Sequence, residues 1–214
     1  MESATQFIFQ IAILIFSVVI HEVSHGFIAL ALGDKTAQYA GRLTLNPIKH
    51  LDPFGSVILP VLLSVMGGPV FGWARPVPYN PYNLRNQKWG PALVGAAGPA
   101  SNIAIAFVFA MLMRFTAVVA DGGTAGMFAA NFMDMAALIV FLNLVLALFN
   151  LMPIPPLDGS KVLFAVLPYQ WRSAQTFLER YGFFMLLFFI FFFSHWIFPV
   201  VTIAFRLFTG GQLF

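Results

Sequence analysis

Four apolar runs limit what this chain can fold into: Phe7–Gly33, Gly90–Ala120, Met135–Pro153 and Gly182–Thr209. Each is long enough to cross a hydrocarbon layer as a helix, which takes about 20 residues. A fifth run, Leu51–Met66, is shorter and holds Pro53, Gly55 and Pro60. Backbone broken in this way is tolerated at membrane depth only where protein surrounds it, so the segment reads as re-entrant or partial. Composition agrees, since 60% of the 214 residues are hydrophobic and 9% are charged. Soluble domains are about 45–50% apolar and about 25% charged. The chain is therefore expected to be an all-α polytopic helical bundle, one membrane-embedded domain over residues 1–214. Its core spans fall at about 7–33, 90–120 and 135–153. A short re-entrant or extended, β-like segment should lie between the first and second of these, and 182–209 should be an accessory C-terminal span.

Several classes drop out. There is no cysteine, so neither disulfides nor thiolate metal ligands are available. The net charge is only +3, and no loop carries more than two or three basic residues, so a nucleic-acid partner is not expected. The first run is too long for a cleaved leader, lacks a basic start and contains His21, Glu22 and His25. Between the runs, Tyr39–Pro47 reads as a strand ending at Asn46-Pro47. Gly67–Lys88 is held extended by Pro69, Pro76, Pro78 and Pro81 and carries Phe71, Trp73, Tyr79 and Tyr82. Tyr169–Arg180 suits a short helix on the membrane surface. The Phe-rich Phe183–Phe193 suits a face turned to lipid.

The chemistry concentrates in His21-Glu22-Val23-Ser24-His25. Residues four apart lie about 40° apart around a helix, so both imidazoles can reach one metal ion. Glu22 sits beside that face, able to reach a water at the metal without being a ligand. This is the zincin arrangement. Ionisable groups are costly inside an apolar run and mark function there. Catalytic zinc usually takes a third protein ligand. His50, His195 and Asp158 are the candidates. Asp158 lies in Asn150-Leu-Met-Pro-Ile-Pro-Pro-Leu-Asp-Gly159, at the end of the Met135–Pro153 run.

Together these motifs resemble the site-2 protease family of intramembrane zinc metalloproteases, peptidase family M50, in a compact form without PDZ or CBS domains. Further matches are Asn46-Pro-Ile-Lys-His-Leu-Asp-Pro53, Phe71-Gly-Trp-Ala-Arg-Pro-Val-Pro78 and Gly98-Pro-Ala-Ser-Asn102. The resemblance covers roughly residues 10–170. It implies one zinc ion per chain held by His21, His25 and Asp158, with Glu22 as general base. It also implies that Asn150 lies near the active site, where its amide could stabilise an oxyanion. His50 and Asn102 are candidates for polar support. The expected partners are the lipid bilayer and a membrane-spanning protein or peptide substrate. The oligomeric state is left open. The expected setting is a prokaryotic plasma membrane.

The zinc reading also sets topology. The C-terminal ends of Phe7–Gly33 and Met135–Pro153 must share one side, which requires that Leu51–Met66 not cross. That side then collects Lys35, Arg42, Lys49, Arg75, Arg85, Lys88, Lys161, Arg172 and Arg180, nine of the eleven basic residues. Positive-inside bias makes it the cytoplasmic side. A divalent-metal transporter and an inactive membrane scaffold are the alternatives. Transport needs polar groups reaching both faces, yet Phe7–Ile20 offers only Gln10 and Ser17.

Overall fold

The computed structural model describes residues 4–67, 72–119 and 124–211. The first apolar run forms α1 (Ala4–Ala31), followed by a single helical turn, α2 (Thr36–Tyr39). The re-entrant region holds a wide π-type turn, Pro53–Ile58, that leads into α3 (Leu59–Val65). The runs Gly90–Ala120 and Met135–Pro153 form α4 (Gly90–Val119) and α5 (Thr124–Asn150). After them come α6 (Asp158–Val166), α7 (Arg172–Phe193) and α8 (Ile197–Thr209). Four stretches are long and apolar enough to span a membrane: Ile8–Ala31, Gly90–Ala117, Ala129–Asn150 and Tyr169–Thr209.

α4 is the central helix, packed against α1, α5, α6 and α8. Its Ala106 and Ala110 are completely buried. One turn apart, they leave room for Val140 and Leu144 of α5 and for Val201 and Phe205 of α8. Small residues of this kind let membrane helices approach closely, where contact rather than water exclusion drives association. α7 stands outside this core. Phe183, Phe184, Phe188, Phe191 and Phe192 are all exposed on it, as a lipid-facing helix requires.

Leu51–Met66 is too short to cross as a helix. Its two helical pieces total 13 residues, about 20 Å of rise against a core of about 30 Å. The chain then returns to its entry point. The Trp73 amide donates to Gly55 O at 3.1 Å and the Arg75 amide to His50 O at 2.8 Å. Ser56 Oγ donates to Trp73 O at 2.8 Å. Gly55 permits this closure, because a Cβ there would overlap the Trp73 indole. Residues 72–80 then run extended across the end of α1. Pro69 and Phe71 lie outside the described residues.

Two local expectations change. Tyr39–Pro47 is not a strand, and no described residue is in one. The Asp34 carboxylate instead accepts from the Thr36 amide and hydroxyl, starting a helical turn. Asn46 caps the short turn Pro47–Lys49 by accepting from the Ile48 amide. With no partner strand beside it, local side-chain capping wins. Nor is Tyr169–Arg180 a separate surface helix. A tight turn at Tyr169–Trp171 opens directly into α7, which runs unbroken through Gly182 to Phe193. The break in the C-terminal span comes at Ser194–Trp196, ahead of Pro199. Pro199 sits in the first turn of α8, where its missing N–H costs no helical bond.

Candidate metal centre

His21 and His25 share one face of α1, their rings edge to face with centroids 4.7 Å apart. Both are buried. The Pro153–Leu157 turn brings Asp158, the first residue of α6, up to them. Asp158 Oδ2 lies 3.0 Å from His21 Nε2 and 3.1 Å from His25 Nε2. Ligands about 2.0–2.1 Å from a tetrahedral zinc stand about 3.3 Å from one another, close to this spacing.

The other ring nitrogens fix which atoms face inward. His25 Nδ1 lies 2.6 Å from Val94 O, which can only accept, so Nδ1 carries the proton. His21 Nδ1 meets Asn102 Oδ1. Asn102 is oriented in turn, because its Nδ2 donates to Asn143 Oδ1 at 2.8 Å and to Ser17 O at 3.3 Å. Asn143 Nδ2 donates to Ser17 Oγ at 2.9 Å. Both imidazoles therefore turn an Nε2 lone pair toward a carboxylate oxygen. Three electron-rich atoms converging in a buried place repel one another unless a cation lies among them. Two such histidines and a carboxylate fit a divalent metal, and partners of this kind orient metal-binding histidines generally.

The rest of the site builds on that set. Gly98 of α4 faces it so closely that a Cβ there would lie 2.5 Å from Nε2 of both histidines. Lys161, one turn along α6, donates to Asp158 Oδ1 at 2.9 Å, which leaves Oδ2 for the histidines. Glu22 has a donor atom grouped with those of His21 and His25 within 4.8 Å. Its Oε2 accepts the Val77 amide of the extended segment at 2.9 Å.

The sequence candidates thus divide. His21, Glu22, His25 and Asp158 come together, and Asn102 stands directly behind His21. Asn150 Nδ2 donates instead to Leu146 O of its own helix at 2.9 Å. His50 is buried, with Nε2 donating to Thr44 O at 2.8 Å. Four contributors were not foreseen: Asn143, the Ser17 hydroxyl, Lys161 and the Val77 amide. Asn143 carried a usable signal, an amide in the middle of an apolar run. The Val77 amide carried none, since a backbone group's partner depends on tertiary placement.

Comparison with known proteins points the same way. The model of "Peptidase family M50" matches residues 116–193, which hold Asn150, Asp158 and Lys161. "Putative zinc metalloprotease YwhC" of Bacillus subtilis is 42% identical over 175 residues, 81% of this chain and 76% of that protein. "Putative zinc metalloprotease Rip2" of Mycolicibacterium smegmatis is 33% identical over 83% of this chain and 64% of its own length. The protein of the same name in Mycobacterium tuberculosis is 29% identical over 97% of this chain and 79% of its own length. No solved structure gives a significant match. A relative this similar over most of both lengths, together with the family-model match across Asp158, shows that the chain belongs to peptidase family M50.

Proposed function

We propose that this protein is an intramembrane zinc metalloprotease that hydrolyses peptide bonds in membrane-embedded segments of other proteins. The observation that carries the reading is the convergence of His21, His25 and Asp158 beside Glu22, among apolar spans. Ionisable groups at membrane depth are functional by default. The names of the relatives support zinc as the metal.

His21 Nε2, His25 Nε2 and Asp158 Oδ2 would hold one zinc ion. Zinc bound there would polarise the scissile carbonyl and make water a better nucleophile at neutral pH. Asn102 and Val94 O hold the two imidazoles in the tautomer that offers Nε2. Lys161 takes one carboxylate oxygen of Asp158 and directs the other inward. The Val77 amide fixes Glu22 Oε2, leaving Oε1 to take a proton from the attacking water and pass it to the leaving amine nitrogen. Asn150 would serve the oxyanion by releasing Leu146 O and turning its amide toward the substrate carbonyl. A transmembrane substrate must unwind to enter. Pro76 and Pro78 have no N–H, so at those positions the extended segment offers an incoming strand carbonyls only.

Behind His21 the polar chain runs through Asn102 to Asn143 and Ser17, and the next buried residues along α4 and around Asn143 on α5 are the apolar Ala106, Ala110, Val140 and Leu144. A pocket closed on that side favours hydrolysis over ion passage. The basic residues gathered around the other end support a cytoplasmic opening, and the bacterial and mycobacterial relatives support a prokaryotic plasma membrane.

The test is metal content and cleavage in one set of variants. The purified chain should carry about one zinc, Asp158→Ala should lose most of it, and Glu22→Gln should keep it. Glu22→Gln should lower cleavage of a membrane-embedded peptide by about 10²-fold or more. Full cleavage by Glu22→Gln would falsify the general-base role. Full zinc retention by Asp158→Ala would remove it as a required ligand.

A further inference from the structure

A second polar feature lies outside the metal centre, where the loop after α2 meets the extended segment. Ala40, Arg42, Ile48, Lys49, Arg75 and Pro78 line a cleft of about 380 Å³. Three of these six residues are cations and none is acidic. Among the described residues, no carboxylate forms an ion pair with Arg42, Lys49 or Arg75; the ion pairs all involve Asp158. Arg42 is more than nine-tenths buried. One of its nitrogens, Nη2, donates to Arg75 O at 2.7 Å and to Pro76 O at 3.4 Å. Its Nε has no partner. Burial and the neighbouring Arg75 charge hold the Arg42 guanidinium below its ordinary value, although Glu22 acts the other way. Three cations brought together with no ion-pair partner among the described residues are an arrangement that an anion would stabilise.

The surroundings indicate which anion. Tyr39, Leu45 and Ile48 are all strongly exposed, at 81%, 60% and 79%. They belong to the same short stretch as Arg42 and Lys49, which begins within about ten residues of the end of a membrane-spanning helix. Ile48 lines the cleft itself, and Tyr39 and Leu45 flank its lining residues Ala40 and Arg42 in the chain. Apolar side chains beside a basic group fit the boundary where headgroups meet acyl chains. We propose that Arg42, Lys49 and Arg75 bind the phosphate of an anionic phospholipid headgroup, with Tyr39, Leu45 and Ile48 resting among the adjoining acyl chains. The site would steady the segment whose Val77 amide holds Glu22, two residues beyond Arg75.

Lys49 and Arg75 are exposed, so they can be changed without opening the interior. The full chain in neutral detergent would be presented with equal phosphatidylglycerol and phosphatidylcholine, and retained lipid read by native mass spectrometry. Phosphatidylglycerol should be retained preferentially. Each basic side chain near a headgroup is worth about fivefold in binding, so Lys49→Gln/Arg75→Gln should weaken that retention about twentyfold. Arg85→Gln/Lys88→Gln removes the same net charge from exposed residues that do not line the cleft, and should change retention less than about twofold. Equal losses in the two double variants, or no preference for phosphatidylglycerol, would overturn the proposal. Binding of inorganic phosphate as tight as that of the lipid would also overturn it, by making this a soluble-anion site. The readout needs neither zinc nor cleavage, so its failure is separable from failure of the protease reading.

Discussion

His21 gets its orientation at third hand. Asn143 aligns Asn102, and Asn102 aligns the imidazole. All three lie in the interior. Removing the farthest member should therefore be felt at the metal. Asn143→Ala should weaken zinc or cobalt(II) binding by about 10–100-fold, the range seen for partners that orient metal ligands. Chelator competition would measure the affinity, with circular dichroism confirming that helix content is kept. Unchanged affinity would mean that Asn102 holds its place through Ser17 O alone. At this scale the sequence was legible where chemistry and spacing coincide, as in His21-Glu22-x-x-His25. For Asn150 the sequence offers an oxyanion role, while in this structure its amide donates to the carbonyl four residues back. His50 likewise spends its ring nitrogen locally, on Thr44 O, while its backbone carbonyl accepts the Arg75 amide.

Helices α1, α4 and α6 meet at the site because α4 gives up a side chain there. Replacing glycine by alanine inside a helix normally stabilises it by about 0.5–1 kcal/mol. At Gly98 the added methyl would occupy the space facing both Nε2 atoms. Gly98→Ala should thus keep or raise helix content while losing most metal binding, a pairing that thermal melts and metal titration would reveal together. The extended segment has its own anchor in Asp34, completely buried after α1. Its carboxylate accepts the Asn80 amide at 2.7 Å and Asn83 Nδ2 at 2.9 Å. Burial alone would raise its pKa, but hydrogen bonds from Thr36, Asn83 and Asn80 outweigh that and lower it. A lowered folded-state pKa means the stabilisation is present above the unfolded value of about 3.9 and is lost as pH falls through the folded value. Hydrogen exchange at residues 78–85 should accelerate only on that acid side. Asp34→Asn should show fast exchange at neutral pH.

For the molecule as a whole, the decisive quantity is sidedness. The return of residues 73–75 to residues 50–55 leaves the end of α1 and the start of α4 at one end of the bundle. α5 comes back to that same end to deliver Asp158. Because the chain has no cysteine, each introduced thiol is unique. An impermeant maleimide should label Gly211→Cys, exposed just after α8, on intact spheroplasts, and Lys35→Cys and Arg172→Cys only after permeabilisation. The reverse pattern would place the site's opening on the outer face.

The amino-acid sequence by itself determined the solvent and the chemistry. Uncharged runs of about 20 residues leave a helical bundle in lipid as the workable fold, because backbone polar groups must be satisfied within each segment. Two histidines one turn apart place their rings on one face of any helix they occupy. Both results follow from local periodicity, which a linear chain records. What only the tertiary structure decided depends on groups far apart in the chain. Asp158 meets His21 across 137 residues and Asn143 meets Ser17 across 126. The extended segment lies over α1 because Asp34, Arg42 and Glu22 each bind its backbone. Backbone donors and acceptors are alike in every residue, so their choice of partner is fixed only once packing has brought the segments together.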